Sequence, residues 1–312
     1  MLPRRASIEA VLGFAWDAGE FRADHLIAAL GFTRATVLSA LDEMIDLGLI
    51  RELIDVTPEG GPRLGRRPRH FELRGDAGVI VGMDLGAGHV AAVAADLTGT
   101  VVVRRRVVVS PSPVPDQLNR TLERVIHDLC VQIDRSIDDV LAVTIAAPGH
   151  LDTDAACNLA FGPRFPVLRV ERGATLAAVA EFTLGAARRC ENFAAVLWGE
   201  ELGSAVFFDG RPARGAHGPA GDVREADFAE VCRLLASFYD PELIVVSGAP
   251  ARAIDVVIEK ARDSLAAAGE WPPPPIVLSA LGEDAVLLGA VCAARESLRD
   301  VVLPLFAERH MA

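Results

Sequence analysis

The chain has 312 residues and a mass of 33.1 kDa, the length of two or three modest domains. Hydrophobic residues make up 51%, too many for a disordered chain, yet the apolar runs are short and broken by charge or glycine, so none reads as a bilayer-spanning helix. The formal charge of −12 argues against bulk adhesion to nucleic acid, but it is uneven: residues 1–75 carry 10 basic and 11 acidic side chains, and residues 76–312 carry 21 and 32.

At the start, MLPRR is not followed by a clean apolar stretch and a small-residue cleavage site. Asp17, Glu20, Arg22 and Asp24 interrupt too early for a signal peptide. The expected location is the cytoplasm. Cys130, Cys157, Cys190, Cys232 and Cys292 lie far apart, with no CxxC pair and no cluster with histidine. They read as buried free thiols, and no metal site is expected.

Residues 7–18 place Ile8, Val11, Leu12 and Ala15 on one helical face, with Ser7 as candidate N-cap. Residues 23–30 form a shorter helix, and Gly31 and Phe32 a tight turn. Thr33 then caps a third helix, with Val37, Leu41, Met44 and Ile45 near helical period and Gly48 as its stop. Residues 49–56 and 69–73 read as strands flanking a Pro- and Gly-rich loop. A hinge is expected at 75–78, which splits the chain into 1–75 and 76–312.

Beyond it, residues 79–85, 91–96 and 101–109 read as three strands joined by turns. A helix over 118–131 and a nearly all-apolar strand over 140–146 follow, the kind of strand buried in an α/β sheet. Pro148–Gly149 turns the chain. A short strand at 167–170 and a helix at 174–184 precede two strands, 193–198 and 204–208. Next come a glycine loop at 211–221, a helix at 228–237 and a strand at 243–247. A helix at 251–268, a strand at 276–279 and a helix at 285–295 complete the order. There is no repeat of fixed period, but both α/β halves open with strands around a glycine turn.

A three-helix unit with a short turn before its third helix, followed by two strands, is a candidate winged helix-turn-helix. The residues exposed at the start of the third helix are Thr33, Arg34, Ala35, Thr36 and Ser39. Arg34 suits a guanine edge or a phosphate, Thr36 and Ser39 either, and Ala35 a thymine methyl. Arg66, Arg67, Arg69 and His70 lie between the two strands, where a wing tip touches phosphates or the minor groove. A protein-binding adaptor with a solvated charged hairpin is the alternative.

In the back part, Asp84-Leu-Gly-Ala-Gly-His89 sits between two strands, Ala147-Pro148-Gly149 follows a buried strand, and RGAHGPAGDV spans 214–223. Their order and spacing resemble the ROK family of repressors and sugar kinases over nearly the whole chain. The resemblance implies an α/β protein: a winged helix-turn-helix in front of a two-lobed, actin-like ATPase (ribonuclease H-like) body, here shortened in the second lobe. The family's kinases use an aspartate base inside Glu-Asn-Asp-Ala-Asn, and the matching stretch is Glu171-Arg172-Gly173-Ala174-Thr175. Gly173 has no side chain to accept a proton. The family's phosphate loop is replaced by Gly199-Glu200-Glu201, which repels a polyphosphate unless a cation intervenes. The family's zinc histidine is missing, as is its three-cysteine motif, and Asp222 stands where the sugar-binding glutamate is expected.

No catalytic residue, metal or cofactor is therefore expected. Asp84, Asn158, Arg172 and Asp222 are the candidate effector-pocket residues. Asn158 reads equally well as a turn cap, Asp152 and Asp154 as solvated turn residues, His217 as a pocket-wall histidine and Trp198 as core or pocket lining. The expected function is a DNA-binding regulator, a repressor, on a double-stranded operator. Its expected assembly is a dimer or tetramer, with a sugar or derivative as candidate effector and no membrane partner. The alternatives are an active sugar kinase and a protein-interaction scaffold.

Overall fold

A computed structural model describes residues 4–53, 69–86, 88–110, 115–147, 161, 164–199, 202–216, 227–248, 251–268 and 272–311. Helix α1 (Arg4–Ala18) runs into a short strand β1 (Glu20–Arg22), then α2 (Ala23–Leu30) and α3 (Arg34–Asp46). Strands β2 (Ile50–Leu53) and β3 (His70–Leu73) complete the front unit. Ile8, Val11, Leu12 and Ala15 are buried, as their helical spacing predicts. Ser7 is not a cap: α1 starts earlier, and Ser7 is a buried residue inside it.

Gly31 ends α2 with φ 66°, a conformation that favours glycine, which lets the chain turn within three residues into α3. β1 has no signal in sequence because three residues are too few to show alternation. It pairs antiparallel with β3, Phe21 opposite Phe71, and gives a three-stranded sheet in the order β1-β3-β2. The Phe21 and Phe71 rings stack 5.9 Å apart under α1.

The larger part holds two sheets of one design. The first contains β4 (Val79–Gly86), β5 (His89–Ala95), β6 (Val101–Val108), β7 (Val140–Ala147) and β8 (Val167–Arg172), with helix α4 (Pro115–Gln132) between β6 and β7. Helix α5 (Gly173–Thr183) leads to the second sheet: β9 (Phe193–Trp198), β10 (Leu202–Phe208), β11 (Arg211–Pro212), β12 (Leu243–Ser247) and β13 (Ile276–Leu278). Helices α6 (Phe228–Tyr239) and α7 (Ala251–Ala268) lie along the chain between its later strands. The orders are β6-β5-β4-β7-β8 and β11-β10-β9-β12-β13. In each, the first three strands form an antiparallel meander and the last two add in parallel. The suspected duplication is thus one of topology.

Helices α8 (Ala285–Arg299) and α9 (Val302–Met311) end the chain. α9 was hidden from a sequence reading by Pro304, which sits in its first turn, where a missing N–H removes no helical bond. α5, which follows the first sheet, packs on β9 and β10 of the second; α8, which follows the second, packs on β4 and β7 of the first. The two helices cross between the sheets. Glycine permits the contact: a Cβ on Gly289 would collide with the backbone carbonyl of Leu176, and one on Gly82 would press on α8 near Ala290 and Val291. Glu181 of α5 is fully buried, with its carboxylate accepting from Ser247 and Ser279 at the ends of β12 and β13 and from the Ala186 amide.

The expected hinge at 75–78 is a packed turn, not a free linker. The Leu97 amide donates to the Gly75 carbonyl at 3.0 Å and Arg135 donates to the Asp76 carbonyl at 2.7 Å. One apolar cluster runs from Ile8, Trp16 and Phe71 of the front unit into Leu97, Val291, Leu298, Val302 and Phe306 of the body. The two parts share a core because the last two helices fold back to form the seat of the front unit.

Candidate nucleic-acid interface and cleft

Two regions draw together the residues singled out in the sequence. The first is the start of α3. Thr33 has extended backbone and its Oγ1 accepts from the Thr36 amide at 3.2 Å, while the two threonine hydroxyls lie 2.9 Å apart. Both hydroxyls therefore serve the helix end. Thr33→Ala is expected to destabilise the front unit by about 1 kcal/mol, measured as a lowered urea midpoint; Thr33→Ser, which keeps the acceptor, is expected to restore it. Arg34, Ala35 and Ser39 stay exposed on the same end.

Most arginines of the front unit whose side chains are described are occupied. Arg5 pairs with Glu9, Arg22 with Asp24, Arg51 with Glu72, and Arg74 with Asp76. Arg69 bonds Asp42 at 3.2 Å and Glu52 at 2.8 Å and lies over the Phe71 ring at 5.0 Å. Those carboxylates stabilise its charge, with Glu52 the larger influence. His70 Nδ1 lies 2.6 Å from Glu20. Arg69 and His70 stand at the loop-side end of the β2–β3 ladder, where Leu53 is opposite His70, with their polar atoms turned to acids of the same unit. Arg34 has no ion pair among the described residues. Arg66 and Arg67 lie outside the described residues.

The second region is the face of the first sheet that carries Asp84. Strand register builds it. Arg106, Ala91, Asp84, Ala146 and Glu171 are directly opposite one another across β6, β5, β4, β7 and β8, so their side chains share one face. Asp84 was foreseen there. Arg106 and Glu171 were not, although the alternation of the VVVRRRVV strand separates Arg106 and Arg104 from Arg105. Arg104 and Arg105 pair with Asp284 and Asp128 respectively. Glu171 accepts from Arg169 at 3.0 Å and from Arg214 of the second half. The Arg104–Asp284 and Arg214–Glu171 pairs thus link residues of the two halves.

Arg172 caps α5 by position, and its guanidinium reaches toward the Ser204 carbonyl at 3.5 Å. It follows Glu171 at the end of β8 and turns to the second sheet through that contact. Asn158 and Asp222 lie outside the described residues, as do Asp152, Asp154, His217 and the Pro148–Gly149 turn. Trp198 is half-buried against Phe228, with ring centroids 5.2 Å apart. Gly173 is the first residue of α5, so nothing at that position can accept a proton.

Burial pushes the Asp84 carboxyl above the ordinary carboxylate range, with His89 and Arg106 opposing weakly. No hydrogen bond reaches it from the described residues. A raised folded-state value means that the protonated form is favoured on folding. Its stability is fully present below the ordinary aspartate value of 3.8 and is lost as pH rises through the raised value. Asp84→Asn is therefore expected to stabilise the chain at pH 7, and the gain should vanish toward pH 3. Urea midpoints of both proteins across that range check it; a variant less stable at pH 7 would show that the carboxylate has a partner holding it.

Zinc is implied for members of the family that the sequence resembles, and the segment matched to its zinc histidine, 217–226, lies outside the described residues. Cys130, Cys190, Cys232 and Cys292 are free thiols on separate elements, and no three His, Cys, Asp or Glu side chains among the described residues are grouped to hold a metal. Burial pushes the Cys232 thiol up to about 12, leaving it protonated at neutral pH. Among the described residues no helix is long and apolar enough to cross a membrane.

No protein-family model matches the chain. Over 211 residues it is 26% identical to the xylose repressor of Bacillus subtilis, covering 62% of this chain and 53% of that protein. It is 24% identical over 206 residues to the xylose repressor of Caldicellulosiruptor bescii, covering 61% and 50%. The chain thus spans about half the length of the curated relatives it matches. Among solved structures, a ROK family transcriptional regulator described as a homologue of the E. coli MLC protein superposes with a TM-score of 0.69 at 16% identity, over 97% of this chain and 99% of that one. A ROK hexokinase from Thermus thermophilus superposes with a TM-score of 0.56 at 20% identity, over 70% and 99%. The chain resembles the ROK family of regulators and sugar kinases, and its mixed α/β fold follows that of a ROK regulator along nearly its whole length.

Proposed function

We propose that the chain is a sequence-specific DNA-binding transcription regulator, acting as a repressor. In this reading residues 1–75 form a winged helix-turn-helix. Residues 76–312 form an actin-like, ribonuclease H-like body that pairs two copies and no longer transfers phosphate. The observation that carries it is Arg34: an exposed arginine with no acid on it among the described residues, at the start of α3, in a unit whose other described guanidinium groups are held by ion pairs. A helix start of this kind fits the major groove, with its first side chains against base edges. Full-length likeness to a ROK regulator and partial likeness to xylose repressors support the same reading.

The kinase reading is weakened by Gly173 at the position of the family's base and by the acids of the degraded phosphate loop. A sugar-derived effector fits the body better than a sugar substrate. The test is selection of genomic fragments by the purified chain at two salt concentrations. The expected result is a small set of palindromic sites whose retention falls as salt rises. Recovery of no fragment at either salt, or ATP-dependent phosphorylation of any sugar in a panel, would overturn the proposal.

A further inference from the structure

We propose that Arg295 is the joint that fixes the front unit on the body, and that it thereby sets the half-site spacing a pair of these chains can span. The spacing role rests on the DNA-binding reading above; the joint does not.

Arg295 lies on α8, six residues beyond Gly289, where that helix is pressed against α5. At 1.5 Å per residue the two points are about 9 Å apart on one rigid rod. Its guanidinium is spent on three acceptors in three directions. Nε donates to the Leu97 carbonyl of the body at 3.0 Å. Nη1 meets the Asp17 carboxylate at 2.9 Å, and Nη2 donates to the Trp16 carbonyl, both on the front unit. The same guanidinium lies over the Trp16 ring at 5.0 Å. One turn further along, Arg299 reaches the Gly13 carbonyl at 3.4 Å and Asp17 at 3.7 Å.

An exposed Arg–Asp pair by itself contributes little, and Asp17 is 60% exposed. The two carbonyls and the ring are what define an angle. Arg295 is only 18% exposed, and its planar fork matches acceptors that a lysine ammonium cannot satisfy together. Domains within a chain usually move on their linkers. Here the linker is a packed turn, the core is shared, and an arginine fork locks α1 to α8. A paired regulator with locked front units can engage only half-sites at one separation and one rotation around the duplex. With loose units it tolerates several.

The test has two arms. In the first, the wild type, Arg295→Ala, Arg295→Lys and Asp17→Asn select from a library of palindromes with one half-site sequence and varied spacing. The wild type is expected to favour one spacing over its neighbours by about tenfold, because twisting DNA into register is costly. Arg295→Ala and Arg295→Lys should flatten that preference to about threefold or less with the half-site consensus unchanged, and Asp17→Asn should stay close to the wild type. In the second arm, without DNA, spin labels carried on unnatural residues at Ser39 and Arg124 report the distance between front unit and body. The wild type should give one narrow distribution and Arg295→Ala a broad one, with the far-ultraviolet circular dichroism of the folded chain unchanged.

A retained spacing preference or a narrow distribution in Arg295→Ala overturns the joint. If that variant does not fold, Arg295→Lys, which keeps the stem and the charge, decides both arms. A wild type that selects no DNA overturns the regulator reading and the spacing role with it, and the label distances still decide the joint.

Discussion

Gly289→Ala is expected to destabilise the chain by about 3 kcal/mol, the upper range for forcing an extra group into a packed contact. The sign is the informative part. Within a helix, replacing glycine by alanine ordinarily gains up to about 1 kcal/mol. At Gly289 the new Cβ would run into the Leu176 backbone carbonyl, which is part of α5 and has no rotamer to move. Either α5 and α8 separate, opening the core around Leu176, Ala177, Val286 and Ala290, or α8 slides along the sheet floor at Gly82. Gly13→Ala on α1 is the comparison, since its Cβ would meet only the end of the Arg299 side chain, at 3.3 Å. A fall in the urea midpoint for Gly289→Ala with little change for Gly13→Ala is the expected pair of results. Equal, small effects at both would mean that the helices do not cross as closely as the fold requires.

That crossing was invisible in the sequence for a physical reason. Helices α5 and α8 read as apolar segments, and apolar residues on every face say that a helix is buried without saying against what. Gly82 and Gly289, more than 200 residues apart, acquire meaning only once one helix lies over the other. The longer strands were legible because alternation and turn chemistry are local, whereas β1 and the two-residue β11, which falls in the stretch read as a glycine loop, are too short to show a pattern. The start of α3 was equally legible, since a threonine three residues before an amide is a local device.

Charge partners were not legible. Arg69 looked like a free wing cation because Asp42 lies 27 residues away and Glu52 sits on the opposing strand. Register also joins Arg106 to Asp84 and Glu171, and register is set by pairing rather than composition. The candidate site is thus half legible: residue type names Asp84 and Arg34, while the neighbours that decide what each can do come from long-range pairing.

Arg34→Ala is expected to lower discrimination at a single base position of each half-site by about 1–3 kcal/mol, roughly 5- to 150-fold, the range for losing one good contact to a base edge. The argument rests on economy of charge. A unit with 10 basic and 11 acidic side chains has no field to hold DNA indiscriminately. Five of its described arginines are engaged by acids at 3.2 Å or closer, and releasing any one of them would expose a carboxylate to the duplex as well. Arg34 carries no such cost. It stands on the exposed end of α3, while Asp42 and Asp46 are more than a turn down the helix. Losing a base contact relaxes sequence preference at one position; losing a phosphate contact weakens all sites alike and lowers the salt slope by about one. Arg67→Ala, in the segment that the sequence reads as a wing, is expected to behave in the second way. Selection from randomised half-sites, repeated at two salt concentrations for both variants, separates the two behaviours. A uniform loss for Arg34→Ala with an unchanged consensus would move that arginine from the bases to the backbone and leave α3 without its reader.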